Sequence, residues 1–149
     1  MEIVVKHFND LTVDELYEIC KIRIEIFMLE QCIYVQDLDD VDKSVYHMYL
    51  KDDDGMQAYV RIIPKGMVYE GASIGRVVSR KRHCGLGTEI MKAAISFVKE
   101  RFGDSRIDIS AQESQHIVKF NVQLSGQGGY NVIKAPTLNL ANDGFTYNV

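Results

Sequence analysis

The sequence predicts an α/β (α+β) sandwich, with helices packed on one mixed, partly parallel sheet. Short runs that alternate apolar and polar residues mark strands. Two longer runs repeat apolar residues at helical spacing. A strand ending near Ser79, a glycine-bearing loop, a helix from Thr88 and a strand from Arg106 follow in direct succession.

Taken in order, Ile3 to His7 is a short opening strand. Thr12-Val13-Asp14-Glu15 places a hydroxyl at a helix cap and a carboxylate three residues on, the spacing of a capping box. The helix begun there runs to about Leu29, with Leu16, Ile19, Cys20, Ile26 and Phe27 as its inward stripe. Arg23 falls on the line of Leu16, Cys20 and Phe27, so it points into a cleft or carries a buried partner. Tyr46 to Leu50 and Gln57 to Ile63 form an antiparallel pair across Asp52-Asp53-Asp54-Gly55. A further strand spans Ala72 to Ser79. Thr88 to Phe102 is the clearest helix, with Ile90, Met91, Ala94, Ile95, Val98 and Phe102 on one face and Gly103 placed to end it. In Arg106 to Ser110, Ile107 and Ile109 point inward and Asp108 and Ser110 outward. Beyond lie a short helix around Ser114 to Leu124, a Gly-rich turn at Gly126 to Gly129, and strands near Tyr130 to Ile133 and Phe145 to Val149.

At 149 residues, 46% apolar and 26% charged, the chain fits one packed domain, 1–149, and is short for two. The opening MEIVVKHFND has no basic lead and no long apolar stretch, so a cytoplasmic protein is expected, with no membrane partner. Cys20, Cys32 and Cys84 lack metal-ligand or redox spacing, so free thiols and no metal site are expected. A net charge of −4 disfavours a nucleic-acid partner, because phosphate-backbone binding depends on clustered Lys and Arg. The acids gather at Asp37, Asp39, Asp40 and Asp42, and again at Asp52 to Asp54. Such runs either attract a cationic substrate or are solvated loops.

The chemistry concentrates in Arg82-His83-Cys84-Gly85-Leu86-Gly87, a tight loop delivering the chain from a strand into a helix N-terminus. The first helical N–H groups lack intrahelical acceptors, the helix dipole adds positive charge, and glycine lets an anion approach the backbone closely. Arg80, Lys81 and Arg82 add three cations there. A dinucleotide fingerprint fails for want of a third glycine, and the Walker pattern is absent. A thiol nucleophile at Cys84 beside His83 is disfavoured inside a phosphate loop.

The R-x-x-G-x-G pattern after a strand resembles the pyrophosphate loop of the GNAT acetyltransferase superfamily. Further blocks resemble its ElaA-like branch, in the right order: Arg23, Ile26-Phe27, Glu30-Gln31, Gln36-Asp37-Leu38-Asp39, Tyr46-His47, Ala58-Tyr59-Val60-Arg61, Ile74-Gly75-Arg76-Val77-Val78 and Ala111-Gln112. The resemblance implies a splayed sheet of six or seven strands flanked by about four helices. The strand at Ile74 to Ser79 would part from its neighbour and offer main-chain groups of Val77 and Val78 to the pantetheine arm of acetyl-CoA. Arg82, His83, Cys84, Gly85, Leu86, Gly87 and Thr88 would hold the pyrophosphate, with Gln112 and Asn121 as further cofactor contacts. Arg23, Gln31 and Tyr34 would line the acceptor side.

The activity implied is direct transfer of an acetyl group to a primary amine of a small molecule or protein. A backbone N–H near Val77 or Val78 would support the oxyanion, and Glu30 or Asp37 would take the amine's proton. Where relatives carry F-Y, with the Tyr facing the CoA sulfur, this chain has Phe120-Asn121, which leaves Tyr130, Tyr147 or solvent to protonate the thiolate. The terminal D-G-I-P-H pattern is reduced to Asp143-Gly144-Phe145-Thr146-Tyr147. A CoA-binding sensor or partner-binding module with a decayed active site is the alternative function. A nucleotide-binding domain using the same loop is a third. A homodimer is compatible with the resemblance.

Overall fold

Seven strands form one sheet in chain order: β1 (Glu2–His7), β2 (Tyr46–Asp52), β3 (Gly55–Ile63), β4 (Ala72–Ser79), β5 (Arg106–Glu113), β6 (His116–Leu124) and β7 (Tyr130–Lys134). Two α-helices accompany them, α1 (Val13–Arg23) and α2 (Leu86–Phe102). These assignments come from a computed structural model that describes residues 1–103, 106–113, 116–124 and 130–134. Neighbouring strands are antiparallel except β4 and β5, which run parallel because α2 carries the chain back between them.

Strand periodicity sorts the core into two layers. Met48 and Leu50 of β2 and Ala58, Val60 and Ile62 of β3 are buried with Ile90, Ala94 and Val98 of α2. The alternate residues Tyr49 and Tyr59 are buried instead with Ile19, Ile22 and Ile26. Successive strand side chains face opposite sides, so α2 covers one face and α1 the other. Each large aliphatic side chain taken from water in this way contributes about 1.5–3 kcal/mol. Ile22, fully buried, belongs to the inward stripe alongside the residues its spacing predicted.

Both ends of the helices follow local chemistry. The Thr12 hydroxyl accepts from the Glu15 N–H at 3.2 Å and Glu15 accepts from the Thr12 N–H at 2.8 Å, completing the expected capping box. Gly103 ends α2 at φ 64°, a left-handed conformation that glycine adopts without a Cβ clash. After Arg23 the first helix widens into a π-type segment, Ile24–Glu30, and the Gln31 N–H reaches back to the Ile26 carbonyl at 2.9 Å.

The expectation of about four helices is corrected: among the described residues there are two α-helices, besides the π-type segment and single 3₁₀ turns at Phe8–Asp10 and Asp40–Ser44. The segment expected to be helical around Ser114 to Leu124 is instead β6, paired along its length with β5. Val118, Phe120, Val122 and Leu124 alternate with Lys119, Asn121 and Gln123, a period of two that outweighs the helical reading. The turn at Gly126 to Gly129 and the strand at Phe145 to Val149 lie outside the described residues. No helix among the described residues is long and apolar enough to cross a membrane.

One polar cluster ties the first helix to the sheet. Glu15 accepts from Lys6 Nζ at 2.8 Å and from the Tyr49 hydroxyl at 2.5 Å. Burial alone would raise the Glu15 carboxyl, but the bonds from Lys6, Tyr49 and the Thr12 N–H prevail and lower it from 4.5 to about 2. A folded-state pKa below the unfolded one gives stability that is present above 4.5 and lost as pH falls towards 2. The Glu15→Gln variant is therefore expected to lose about 1–3 kcal/mol at pH 7. It should then show a flatter Tm profile than the parent below pH 4.5, measured by thermal melts across that range. Parallel profiles would remove Glu15 from the account of acid stability.

Candidate functional site

β4 holds the centre of the site. Its ladder with β5 pairs Ala72, Ser73 and Ile74 with Ile107, Asp108 and Ile109, and ends there. β4 continues to Ser79 and β5 to Glu113 without further pairing between them. The β5-facing edge of β4 from Gly75 onward therefore carries no ladder, and the two strands part as the splayed-sheet expectation required. On its other side β4 stays paired to β3, Gly75 opposite Arg61 and Val78 opposite Tyr59.

A bulge lies at the point of parting. Two β4 residues, Arg76 and Val77, stand against the single β3 residue Val60 between those pairs. The extra residue reverses the inward phase: Ala72 and Ile74 face α2, as does Val77 beyond the bulge, while Val78 joins the α1 layer. Arg76 takes φ 55°, a left-handed conformation costing a bulky residue about 1–2 kcal/mol.

The chain then crosses the top of the gap. Gly85 precedes α2 at φ 81°, and no side chain caps the helix. A Cβ placed on Gly85 or Gly87 would meet nothing within 4 Å, so the loop is not plugged. His83, at φ 59°, and Cys84 are exposed, and the Cys84 thiol donates to the Lys81 carbonyl at 3.1 Å. An exposed strand edge can hydrogen-bond an extended ligand, while an uncapped helix start can receive an anion.

The cations around the loop have carboxylate partners. Arg80 Nη2 lies 3.1 Å from Glu25, and Arg82 Nε donates to Glu30 at 2.7 Å, with a second contact between Arg82 Nη2 and the same Glu30 oxygen. Glu30 thus pairs with Arg82, while Arg23 pairs with Asp37 and Asp42. Together the Arg80 and Arg82 pairs lay the π-type segment along the rim of the loop. Gln31 and Tyr34, placed by the sequence on the acceptor side, are exposed just beyond it, and Tyr34 is 77% accessible.

Beneath that rim lies a network of three arginines and three aspartates. Arg23, 1% exposed, donates from Nε to Asp37 at 2.6 Å and from Nη1 to Asp42 at 2.9 Å. Arg61 donates to Asp39 at 2.7 Å and Asp42 at 2.8 Å. Arg76 Nη2 donates to the Asp37 carbonyl at 3.2 Å, and its Nε sits 2.6 Å from Asp37 Oδ1 without the alignment of a hydrogen bond. Burial opposes the charge on Asp42, yet Arg23 and Arg61 hold its carboxyl below the ordinary range. Burial likewise opposes charge on Arg23, and Tyr59, Asp37 and Asp42 more than offset it. His47 is fully buried; its Nε2–H donates to the Asp42 carbonyl at 2.9 Å, so Nδ1 accepts from the Tyr59 hydroxyl at 2.8 Å. Burial pushes the His47 pKa down, which keeps the ring neutral in that role.

The network settles two open readings. Arg23 carries buried partners rather than opening into a cleft, so it supports the site from below instead of touching an acceptor. The aspartates at 37, 39 and 42 are neutralised internally, which withdraws the expectation that this acidic run draws a cationic substrate. Arg61, Arg76 and Asp42 were missed as site residues. Their signal was available, since a charged residue inside an apolar strand such as Val60-Arg61-Ile62 must find a partner.

Register places the remaining candidates. Gln112 is on β5 beyond its last pairing with β4, opposite Ile117. Asn121 sits on β6 opposite Asp108, which itself pairs with Ser73, so it is level with the closed part of the β4–β5 ladder. Tyr130 starts β7 opposite Leu124, with β5 and β6 between it and β4. Tyr147 lies outside the described residues.

No family model matches the chain. It is 35% identical over 117 residues to a UPF0039 protein of Schizosaccharomyces pombe, covering 76% of this chain and 77% of that one. Among solved structures, an acyl-CoA N-acyltransferase from Pseudomonas aeruginosa superposes with a TM-score of 0.70 at 32% identity, over 74% of this chain and 79% of that one. Escherichia coli ElaA superposes with a TM-score of 0.69 at 27% identity, over 74% and 78%. The likeness in sequence and in fold agrees with the parted strands and the glycine loop: the chain belongs to the ElaA-like branch of the GNAT superfamily of acyl-CoA N-acyltransferases.

Proposed function

We propose that this chain is one N-acetyltransferase domain that moves an acetyl group from acetyl-CoA to a primary amine by direct attack, as a soluble cytoplasmic enzyme. The observation that supports this most is the free edge of β4 running directly into an uncapped glycine loop at the start of α2. In this reading Arg82 to Thr88 take the pyrophosphate and the main chain of Val77 and Val78 takes the pantetheine arm. Gln112, on the facing strand, adds a contact from the other wall. The P. aeruginosa acyl-CoA N-acyltransferase supports the acyl-CoA class, and the identity of the acyl group and of the acceptor is our own reading.

The chain's groups divide the chemistry as follows. A main-chain N–H at Val77 or Val78 stabilises the tetrahedral oxyanion as the neutral amine attacks the thioester carbon. The C–N bond forms, the C–S bond breaks, and the thiolate leaves with the electron pair. Glu30 and Asp37, the candidate bases, each have oxygens engaged by guanidinium groups. Glu30 stands at the pyrophosphate end and Asp37 beside the bulge, so Asp37 is the better placed to guide the amine's proton to water. Asn121 and Tyr130 start from strands one and two beyond β5, so solvent is our choice for protonating the thiolate. Gln31 and Tyr34, exposed on the rim, are the acceptor contacts.

Acetyl-CoA is expected to bind saturably by calorimetry while ATP and NAD do not. A panel of primary amines should release free CoA thiol above the uncatalysed rate. With only the neutral amine reactive, kcat/KM should climb with pH towards the amine's own pKa, about 10 for a lysine-like acceptor. Saturable acetyl-CoA binding with no thiol release across the panel would instead select the CoA-sensing module, which the remote placement of Asn121 and Tyr130 favours.

The Arg82–Glu30 pair gives a second test. Arg82→Ala should weaken CoA about tenfold or more, the loss of a charge-assisted hydrogen bond. Glu30→Gln should tighten CoA by about two- to fivefold, because an exposed pair of this kind is worth little and its release frees the cation. Unchanged dissociation constants in both variants would take the loop out of cofactor binding.

A further inference from the structure

We propose that Arg76 is a positioning residue: its guanidinium, anchored to Asp37 and Asp39, fixes the bulge that holds the free edge of β4 open to the pantetheine arm. The inference rests on reading the gap as the acyl-CoA site, and three separate observations carry it. Arg76 occupies a left-handed φ of 55° that few long side chains adopt, and such a conformation persists only where the surroundings impose it. The surroundings here are the Asp37 carbonyl at 3.2 Å, Asp37 Oδ1 at 2.6 Å and Asp39 Oδ2 at 3.5 Å. The bulge those contacts secure begins two residues beyond the last β4–β5 pairing.

The contacts also explain why the anchor is rigid. Asp37 is gripped from behind by Arg23, and Asp39 by Arg61, while Asp42 joins Arg23 to Arg61. Arg76 is therefore fastened to a buried frame rather than to a mobile loop acid. Its side chain, 31% exposed against 1% for Arg23 and 7% for Arg61, is the one of the three arginines' that reaches the solvent side of the frame. Val77 and Val78, the next two residues, are held in opposite layers by packing, so the direction of their N–H and C=O groups follows the bulge angle.

Two probes separate this role from general stability: CoA, and 3′-phospho-ADP, which keeps the pyrophosphate but lacks the pantetheine arm. Arg76→Gly removes the anchor while suiting the left-handed backbone. It should weaken CoA about tenfold, the loss of one or two main-chain hydrogen bonds, and leave 3′-phospho-ADP unchanged. Arg76→Lys, which keeps a cation for Asp37, should recover part of the CoA affinity. Should the glycine variant fail to fold, Arg76→Gln, with its stem and one amide donor, must show the same split. The inference is overturned if the folded variant binds CoA as tightly as the parent, or if both probes weaken in step. If the parent chain binds neither probe, the acyl-CoA reading itself falls and the role of Arg76 with it.

Discussion

The parting of β4 from β5 is the constraint on which the rest of the site depends. Two parallel strands that stayed hydrogen-bonded along their length would leave no main chain for a ligand. One extra residue in β4, opposite Val60, ends the agreement between the two strands after Ile74 and Ile109. The same residue reverses which side chains face α1 and α2, so Val77, partly buried, and Val78, buried, keep to their proper layers even though the strand has turned away. Core packing and an open edge thereby coexist in one element.

The acidic segment between the first helix and β2 serves this arrangement from below. Its aspartates at 37, 39 and 42 balance the arginines at 23, 61 and 76, and burial makes each charge dependent on the others. Replacing such a cluster with apolar residues can cost little, but removing one member leaves its partner charged and unpaired. The segment thus reads as part of the frame, and the rim above it presents Leu29, Tyr34 and Val35 rather than a negative field.

Much of the frame was legible in the residues themselves. The capping box at Thr12 and Glu15, the limits of β4 and the glycine stop at Gly103 depend on short-range chemistry, and all three were read correctly. The loop at Gly85 was found for the same reason, since a helix start without a capping side chain is a local pattern. What escaped was long-range. The bulge exists only relative to β3, so nothing in Gly75-Arg76-Val77 alone announces it. Pairing of Arg23 with Asp37 and of Arg82 with Glu30 joins residues far apart in the chain. The β6 segment was misassigned because its two-residue alternation, which pairing with β5 makes decisive, was passed over in favour of a short helix.

The order of the sheet has a kinetic consequence. Because strands neighbour one another in the sequence from β1 to β7, most pairings close short loops, and hairpins of this kind can form early. Besides β1 with β2, joined across residues 8–45, the exception is the junction of β4 with β5: it must wait for the α2 crossover to fold back before Ala72 can meet Ile107. It then gains only a brief ladder for that long closure. The seam that gains the fewest pairs for its closure is the one that the native protein leaves ajar.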